Sequence, residues 1–264
     1  MTTRPTPPVP CAPLVTTCGD RRTLEFAPGD IQSAMLLSDP TCLVLAYCRA
    51  IMCFALFVPR PRHIVLVGLG GGSLAKFCFQ HFPQARISVL ELRADVIALR
   101  EQFGVPPDDA RFRVLHADAA TWLGGLLASA DVLVVDGFDV HGLPPALGSA
   151  RFYADCRRAL CDGGVLVANV FSYDPHYRRM LARLRLMFDD RVCRFNGVAG
   201  NNRILFAVKA GPGSRAAPGR ALRVQGWVAR LNPDNRRSLA VGLLNRLLVR
   251  TLVAWLARGS ERQQ

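Results

Sequence analysis

The chain has 264 residues, half of them hydrophobic, and its 33 Lys and Arg residues outnumber its 20 Asp and Glu residues to give a net charge of +13. A chain of this length can bury a sizeable core and fits one α/β domain with short additions at its ends. Its nine cysteines are scattered without a C-x-x-C pair, so neither a disulfide framework nor a metal site is expected.

The two ends of the chain differ in composition from its middle. Residues 1–21 are rich in Pro and Thr and lack the order of a signal peptide, which predicts a disordered N-terminal tail and a cytoplasmic protein. Residues 22–62 are predicted to form a short N-terminal element with strand-like pieces and a buried helix over 42–58. Residues 211–264 are predicted to be a basic linker followed by an amphipathic helix at about 238–257.

The C-terminal segment carries much of the positive charge, with ten arginines against Asp234 and Glu261. No aromatic-interleaved basic stripe and no known nucleic-acid-binding module accompanies this charge, so nucleic acid is not an expected partner. Asn245, Arg246 and Arg250 interrupt the last apolar run, and for that reason no membrane span is predicted.

The middle of the chain alternates strand and helix patterns with short connections. Runs rich in β-branched and other apolar residues predict strands at 63–69, 86–92, 112–117, 131–137 and 165–171. Helical apolar spacing predicts helices at 73–82, 93–103, 118–128, 149–160 and 175–188. Two further strands, at 191–197 and 202–209, are joined by a Gly/Asn turn and predict an antiparallel hairpin.

Strands that are apolar on both faces require a parallel sheet covered by helices on both sides. The predicted fold is therefore a doubly wound α/β domain, residues 63–210, with a mostly parallel seven-stranded sheet that ends in the hairpin. In such sheets ligands bind beyond the carboxyl ends of the strands, where the strand order reverses.

Polar or glycine residues follow the first three strands at this edge. Gly68, Gly70 and Gly72 belong to a V-G-L-G-G-G-S loop that allows a ligand to approach the backbone. Glu91 ends the second strand, where an acid can accept the ribose hydroxyls, and Asp118 ends the third, where it can accept an adenine amino group or cap the next helix. Together they predict a nucleoside-binding cleft of the S-adenosylmethionine type.

The fourth strand ends on two carboxylates, Asp136 and Asp139, within V-V-D-G-F-D. Both are predicted to project into the same cleft as catalytic residues. A structural alternative stays open for both, since Asp136-Gly137 is a turn signal and Asp139 could cap the loop backbone.

These residues resemble the spermidine synthases, or polyamine aminopropyltransferases. The resemblance implies that the sheet is of the class I S-adenosylmethionine-dependent methyltransferase type. The similarity covers roughly residues 24–209 and rests on Ile31-Gln32, the glycine loop, Glu91, the H-A-D-A segment at Asp118 and the D-x-x-D of Asp136 and Asp139. The family transfers an aminopropyl group from decarboxylated S-adenosylmethionine to an amine. The resemblance implies that Asp136 is the base or orienting group, Asp139 an amine anchor, Gln32 a nucleoside contact and Tyr47 a substrate contact.

The sequence also departs from the family pattern. The loop Asp of the family falls on Gly71, and Cys48-Arg49 replaces a family Glu near the acceptor. The expected partner is a small-molecule amine, and a homodimer is left open. Two alternatives to aminopropyl transfer also stay open: a methyltransferase that uses intact S-adenosylmethionine, and a non-catalytic nucleoside-binding relative.

Overall fold

The computed structural model of the chain describes residues 12–138, 142–211, 219–232 and 239–261. The strands in these ranges are β1 (Leu14–Cys18), β2 (Arg21–Glu25), β3 (Ile31–Leu36), β4 (His63–Val67), β5 (Arg86–Glu91), β6 (Phe112–His116), β7 (Ala130–Val135), β8 (Leu160–Phe171), β9 (Val192–Arg194) and β10 (Asn202–Val208). The α-helices are α1 (Ala46–Ile51), α2 (Phe54–Phe57), α3 (Ser73–His81), α4 (Ala94–Ala98), α5 (Ala119–Trp122), α6 (Ala150–Ala159), α7 (Tyr177–Met187), α8 (Arg220–Leu231) and α9 (Leu239–Glu261).

The main sheet has seven strands in the order β6-β5-β4-β7-β8-β10-β9. β6, β5, β4, β7 and β8 are parallel, whereas β10 is antiparallel to both β8 and β9. The predicted fold class is confirmed, including the antiparallel hairpin at the end of the sheet. The strand order reverses between β4 and β7, so the carboxyl ends of these two strands mark the expected ligand position.

The side chains of the central strands point alternately to the two faces of the sheet, and they pack into a separate hydrophobic core on each face. On β4, Ile64 and Leu66 belong to one core with α1, α2, α3, α8 and α9, while Val65 and Val67 belong to the other with α6 and α7. All five residues of β4 are buried. This double coverage explains why the strands lack polar alternation.

The N-terminal region is more ordered than predicted. β1 lies inside the segment 1–21, which was expected to be disordered, and that part of the prediction is wrong for residues 14–18 because they pair antiparallel with β2. Residues 1–11 lie outside the described residues. β1, β2 and β3 form a separate antiparallel sheet, whose last strand reaches the glycine loop.

Two of the predicted elements have different boundaries in the structure. The buried helix expected over 42–58 is divided into α1 and α2, with a turn at Met52 and Cys53 between them. The strand predicted at 165–171 begins earlier, as β8 at Leu160, and it includes Asp162-Gly163-Gly164, where the pairing with β7 shifts register. The glycines tolerate this irregular stretch because Gly163 has a positive φ of 79°.

The C-terminal segment was predicted as a linker and one helix, but it contains two helices. α8 begins at Arg220, inside the range expected to be linker or loop, and it buries Ala221 and Val228 against the body. α9 places Val249 and Leu256 in the same core. These helices therefore complete one face of the domain, and removing everything after Gly211 is expected to expose that core.

Candidate active site

A cavity of about 450 Å³ opens at the carboxyl edge of the main sheet, at the reversal of strand order. It brings together most of the residues that the sequence singled out, namely Gln32, Tyr47, Gly68, Gly70, Glu91, Asp118 and Asp136. Gly72 lies just behind it as the residue preceding α3. Asp139 lies outside the described residues.

The glycine loop is positioned by close approach of two neighbouring strands. The backbone nitrogen of Asp136 donates to the Val67 carbonyl at 2.9 Å, so the chain after β7 runs beside the chain after β4. Gly68 has a φ of 97°, and a Cβ at this position would collide with the Asp136 carbonyl oxygen. Glycine is therefore required here by both conformation and space.

Glu91 lies at the end of β5, with little exposure, and its carboxylate is already used by the chain. Oε2 accepts a hydrogen bond from the Leu69 backbone nitrogen at 2.8 Å, and Oε1 accepts one from the Arg93 nitrogen at 2.8 Å. Each carboxylate oxygen has a second lone pair that remains a potential acceptor site. The residue thus links the glycine loop to the next strand while lining the cavity.

Asp118 both lines the cavity and caps α5. Its Oδ1 accepts from the Ala120 nitrogen and its Oδ2 from the Thr121 hydroxyl, each at 2.9 Å. The structural alternative weighed in the sequence analysis is therefore present. The adenine contact stays a prediction, and it has to use the remaining lone pairs of this carboxylate.

Asp136 is the acid whose environment is most unusual. Burial raises the pKa of its carboxyl to about 7, and hydrogen bonds from Asn169 and Tyr47 lower it in part. The Asn169 Nδ2 donates to Oδ1 at 2.7 Å. A carboxyl that titrates near neutrality is suited to accept and release a proton at physiological pH.

Two asparagines behind this acid were not predicted from the sequence. Asn202 Nδ2 donates to Asn169 Oδ1 at 3.0 Å, which orients the Asn169 amide toward Asp136. Asn169 is 1% exposed and interrupts the apolar run of β8. That single polar residue in a buried strand was the available signal.

Tyr47 joins the N-terminal element to the catalytic edge. Its hydroxyl oxygen lies 3.3 Å from the Gln32 carbonyl oxygen and also hydrogen-bonds with Asp136, so its single proton is shared between these two acceptors. Burial is the main cause that raises the pKa of Tyr47, with Asp136 adding to it, so the phenol stays protonated as a donor. Phe26 and Arg93 also line the cavity, where the guanidinium carbon lies 4.6 Å from the ring centre.

At Gly71, where the resemblance places the loop Asp of the family, the space for a side chain is occupied by Ser33 and Phe103. A Cβ on Gly71 would lie 2.7 Å from Ser33 Oγ and 2.8 Å from a ring carbon of Phe103. Behind the loop, the buried Lys76 holds this arrangement by donating to the Phe103 carbonyl at 2.6 Å. Burial lowers the pKa of Lys76 to about 8. A larger residue at position 71 therefore requires Ser33 and Phe103 to move.

Arg49, which stands in place of a family carboxylate, does not face the cavity. Its guanidinium donates to the carbonyls of Leu43 and Val44, so it caps the segment leading into α1. Among the described residues, no group of three or more His, Cys, Asp or Glu side chains is arranged to hold a metal ion.

The fold and the cavity define a class I S-adenosylmethionine-dependent transferase architecture, and known proteins extend this assignment. No protein-family model matches the chain. It is 37% identical to the polyamine aminopropyltransferase of Chromobacterium violaceum over 195 residues. The aligned region covers 74% of this chain and 75% of that protein. The chain belongs to the polyamine aminopropyltransferase family, as its sequence resemblance predicted, and it is a transferase.

Solved structures support the fold. A probable spermidine synthase from Corynebacterium glutamicum has a TM-score of 0.66 at 21% identity, over 86% of this chain and 92% of that one. Human methyltransferase-like protein 13 in complex with SAH has a TM-score of 0.52 at 26% identity, over 70% and 88% respectively. The same architecture therefore occurs in a protein named as a methyltransferase.

Proposed function

We propose that this chain transfers an aminopropyl group from decarboxylated S-adenosylmethionine to a small-molecule amine. The observation that carries the proposal is the Asp136 carboxyl, whose pKa is raised to about 7 and which lies beside the glycine loop in the cavity at the carboxyl edge of the sheet. Membership of the polyamine aminopropyltransferase family supports the same reaction.

In the proposed complex the donor lies along the ends of β4, β5 and β6. Glu91 accepts from the ribose hydroxyls, Asp118 accepts from the adenine amino group, and Gly68 and Gly70 let the donor approach the backbone. Gln32, on the rim contributed by β3, is a further nucleoside contact. This arrangement would direct the carbon bonded to sulfur toward Asp136.

The acceptor nitrogen has to attack that carbon as a neutral amine, from the side opposite to sulfur. A nitrogen–carbon bond forms while the carbon–sulfur bond breaks, and its electron pair converts the sulfonium into a thioether. Asp136 takes the proton that the amine loses, and Tyr47 orients Asp136 or the acceptor through its hydroxyl. Asp139 retains its proposed role as an anchor for the amine.

Methyl transfer from intact S-adenosylmethionine is the second candidate, because one observation favours it. The cavity lacks the loop carboxylate that would repel the carboxylate of the intact donor, since Ser33 and Phe103 occupy the space beside Gly71. A metal-free reaction in the cytoplasm is proposed in either case.

A mass-resolved transfer assay separates the two candidates. The chain is incubated with decarboxylated or intact S-adenosylmethionine and a panel of mono-, di- and polyamines, with Asp136→Asn as the inactive control. We expect an amine that gains an aminopropyl group only with the decarboxylated donor. Exclusive gain of a methyl group would establish the second candidate. Binding of both donors without transfer to any amine would contradict both reactions and favour a non-catalytic relative.

A further inference from the structure

The outer face of α9 is an exposed surface that the proposed reaction does not use. Helical spacing places Asn245, Val249 and Leu256 on the inner face, and all three are buried. The opposite face carries exposed Arg250, Thr251 and Arg258 together with large apolar side chains that are each more than half exposed: Leu239, Leu243, Leu244, Leu247 and Trp255. We call these five residues the outer apolar face.

Arginines accompany the outer apolar face along the helix. Arg246, Arg250 and Arg258 are exposed, and no acidic residue occurs between positions 239 and 258. The whole chain carries a net charge of +13. Exposed leucines and a tryptophan with arginines among them, whose long side chains can reach past the apolar surface, suit a segment that lies in the surface plane of a membrane.

Length and composition alone also allow α9 to cross a membrane, contrary to the sequence-based exclusion of a span. The stretch Leu239–Arg258 has a mean hydropathy of 1.6, and 17% of its most apolar window is buried. The inner face argues against crossing, because Asn245 Nδ2 donates to the Asn196 carbonyl at 2.9 Å and Val249 lies in the core. Crossing would require α9 to leave the domain whose face it completes.

The positive charge of α9 indicates which partner covers the outer apolar face, a membrane surface or a second copy of this chain. Two copies that meet through this face in a symmetric dimer would bring their arginines together, and no acidic residue between positions 239 and 258 could pair with them. An anionic lipid surface instead attracts the arginines while the leucines and Trp255 enter the headgroup region.

We propose that the outer apolar face of α9 docks the folded protein peripherally onto an anionic lipid bilayer. This inference is independent of the reaction proposed above. Arg250 and Arg258 provide the electrostatic attraction, and the leucines provide the apolar burial. Leu243 and Leu247 are one helical turn apart and form the centre of the contact.

The test is flotation of the full-length chain with vesicles of phosphatidylcholine alone or mixed with phosphatidylglycerol. We expect binding to the mixed vesicles, about tenfold weaker binding to the neutral ones, and partial release by salt. The double variant L243Q/L247Q should bind the mixed vesicles about tenfold or more weakly than the wild type. Burial of one leucine side chain in the lipid is expected to change the affinity by about tenfold. The matched control is Leu186→Gln, because Leu186 is 73% exposed on α7 and α7 covers the other face of the sheet.

A second readout does not depend on the folding of the double variant. The tryptophan emission of the wild-type chain should shift to shorter wavelength with mixed vesicles, and Trp255→Phe should remove that shift. Three outcomes would overturn the proposal: no binding to mixed vesicles, equal binding by L243Q/L247Q and Leu186→Gln, or binding that resists both salt and alkaline extraction as an inserted helix does. A wild-type dimer that L243Q/L247Q converts to a monomer, without vesicle binding, would assign the face to self-association.

Discussion

On one side of the cavity, at the ends of β4, β5 and β6, Glu91 and Asp118 already accept hydrogen bonds from the chain on both carboxylate oxygens. We call this the donor side. On the other, at the ends of β7 and β8, Asp136 accepts from Asn169 and Tyr47, yet burial still raises its pKa to about 7. We call this the acceptor side.

In the proposed reaction, this difference separates binding from chemistry along one edge of the sheet. On the donor side, hydrogen bonds from backbone N–H groups and from the Thr121 hydroxyl hold the two carboxylates in fixed positions. Fixed carboxylates suit recognition of hydroxyl and amino groups on a substrate. On the acceptor side, the pKa of the Asp136 carboxyl is about 7, so this group can take up and release a proton near neutral pH, which suits proton transfer. Changes on the donor side should therefore alter affinity, whereas changes on the acceptor side should alter turnover.

The largest effect is expected for Asp136→Asn. An amide keeps the size of the side chain but cannot take the proton of the amine, and loss of a positioned general base typically costs about a hundredfold to ten-thousandfold in rate. Steady-state transfer rates and calorimetric affinity for the donor should show a large loss of kcat with a similar dissociation constant. Near-normal turnover would remove Asp136 from the mechanism.

Thermal stability of the same variant provides its control. The folded-state pKa of Asp136 is above the ordinary value of 3.8, so the folded protein binds this proton more tightly than the unfolded chain does. The contribution to stability is present at acidic pH and is lost as the pH rises through about 7. Asp136→Asn should therefore melt higher than wild type at pH 8, with a smaller difference at pH 5. A variant that melts lower at both pH values would indicate misfolding instead.

A smaller effect, on affinity, is expected for Asp118→Ala on the donor side. The variant loses the adenine acceptor and a helix cap, and the cap contributes about 1 kcal/mol to stability. We expect donor affinity to fall about tenfold or more, because hydrogen bonds to charged groups are worth roughly 1.5–3 kcal/mol. Thr121→Val is the matched control, since it removes the hydroxyl that contacts Asp118 and retains the carboxylate. Unchanged donor affinity in Asp118→Ala would show that this residue only caps α5.

The sequence predicted the parts of this site that depend on local pattern. Uninterrupted apolar runs defined the parallel strands, and the residues that end them, such as Glu91 and Asp136, could be placed at one edge. The Asn169–Asn202 contact could not be predicted, because it depends on the register between β8 and β10. The fit of Phe103 beside Gly71 likewise joins segments that are distant in sequence.

α8 was missed for a different reason. Its apolar residues Ala221, Val224 and Val228 follow helical spacing, but the Pro/Gly-rich residues before them dominated the interpretation of this segment as linker. β1 was missed because a short strand at the edge of a small sheet has little pattern of its own, and its residues are mostly exposed. Both are examples of tertiary pairing overriding composition.

Asn169→Leu should produce a severalfold change that depends on pH. Catalysis by Asp136 as a base requires its ionised form, so kcat/KM should rise with pH through about 7 in the wild type. The Asn169 hydrogen bond lowers the pKa of Asp136, so its removal should move this rise to higher pH. We expect a severalfold loss at pH 6 and recovery at pH 9. Asn202→Leu, which contacts Asn169 but not Asp136, should shift the profile less, and an equal loss at every pH would indicate a purely structural role for Asn169.

The smallest effect concerns the choice of donor, and it follows from the space beside Gly71. Decarboxylated S-adenosylmethionine has an ammonium without the carboxylate of the intact form, so a loop carboxylate would favour it. Two unit charges about 4 Å apart interact by roughly 4 kcal/mol at an effective dielectric of 20, enough for a tenfold preference or more even when partly screened.

Because Ser33 Oγ and Phe103 fill that space, the chain should distinguish the two donors by less than about tenfold in dissociation constant, measured by calorimetry. Gly71→Asp alone should lower the melting temperature, since its Cβ meets both neighbours. Gly71→Asp combined with Phe103→Leu gives the carboxylate more room, so it should favour the decarboxylated donor more strongly than Phe103→Leu alone does. A wild-type preference for that donor far above tenfold would instead assign donor selection to Asp136 and the rest of the acceptor side.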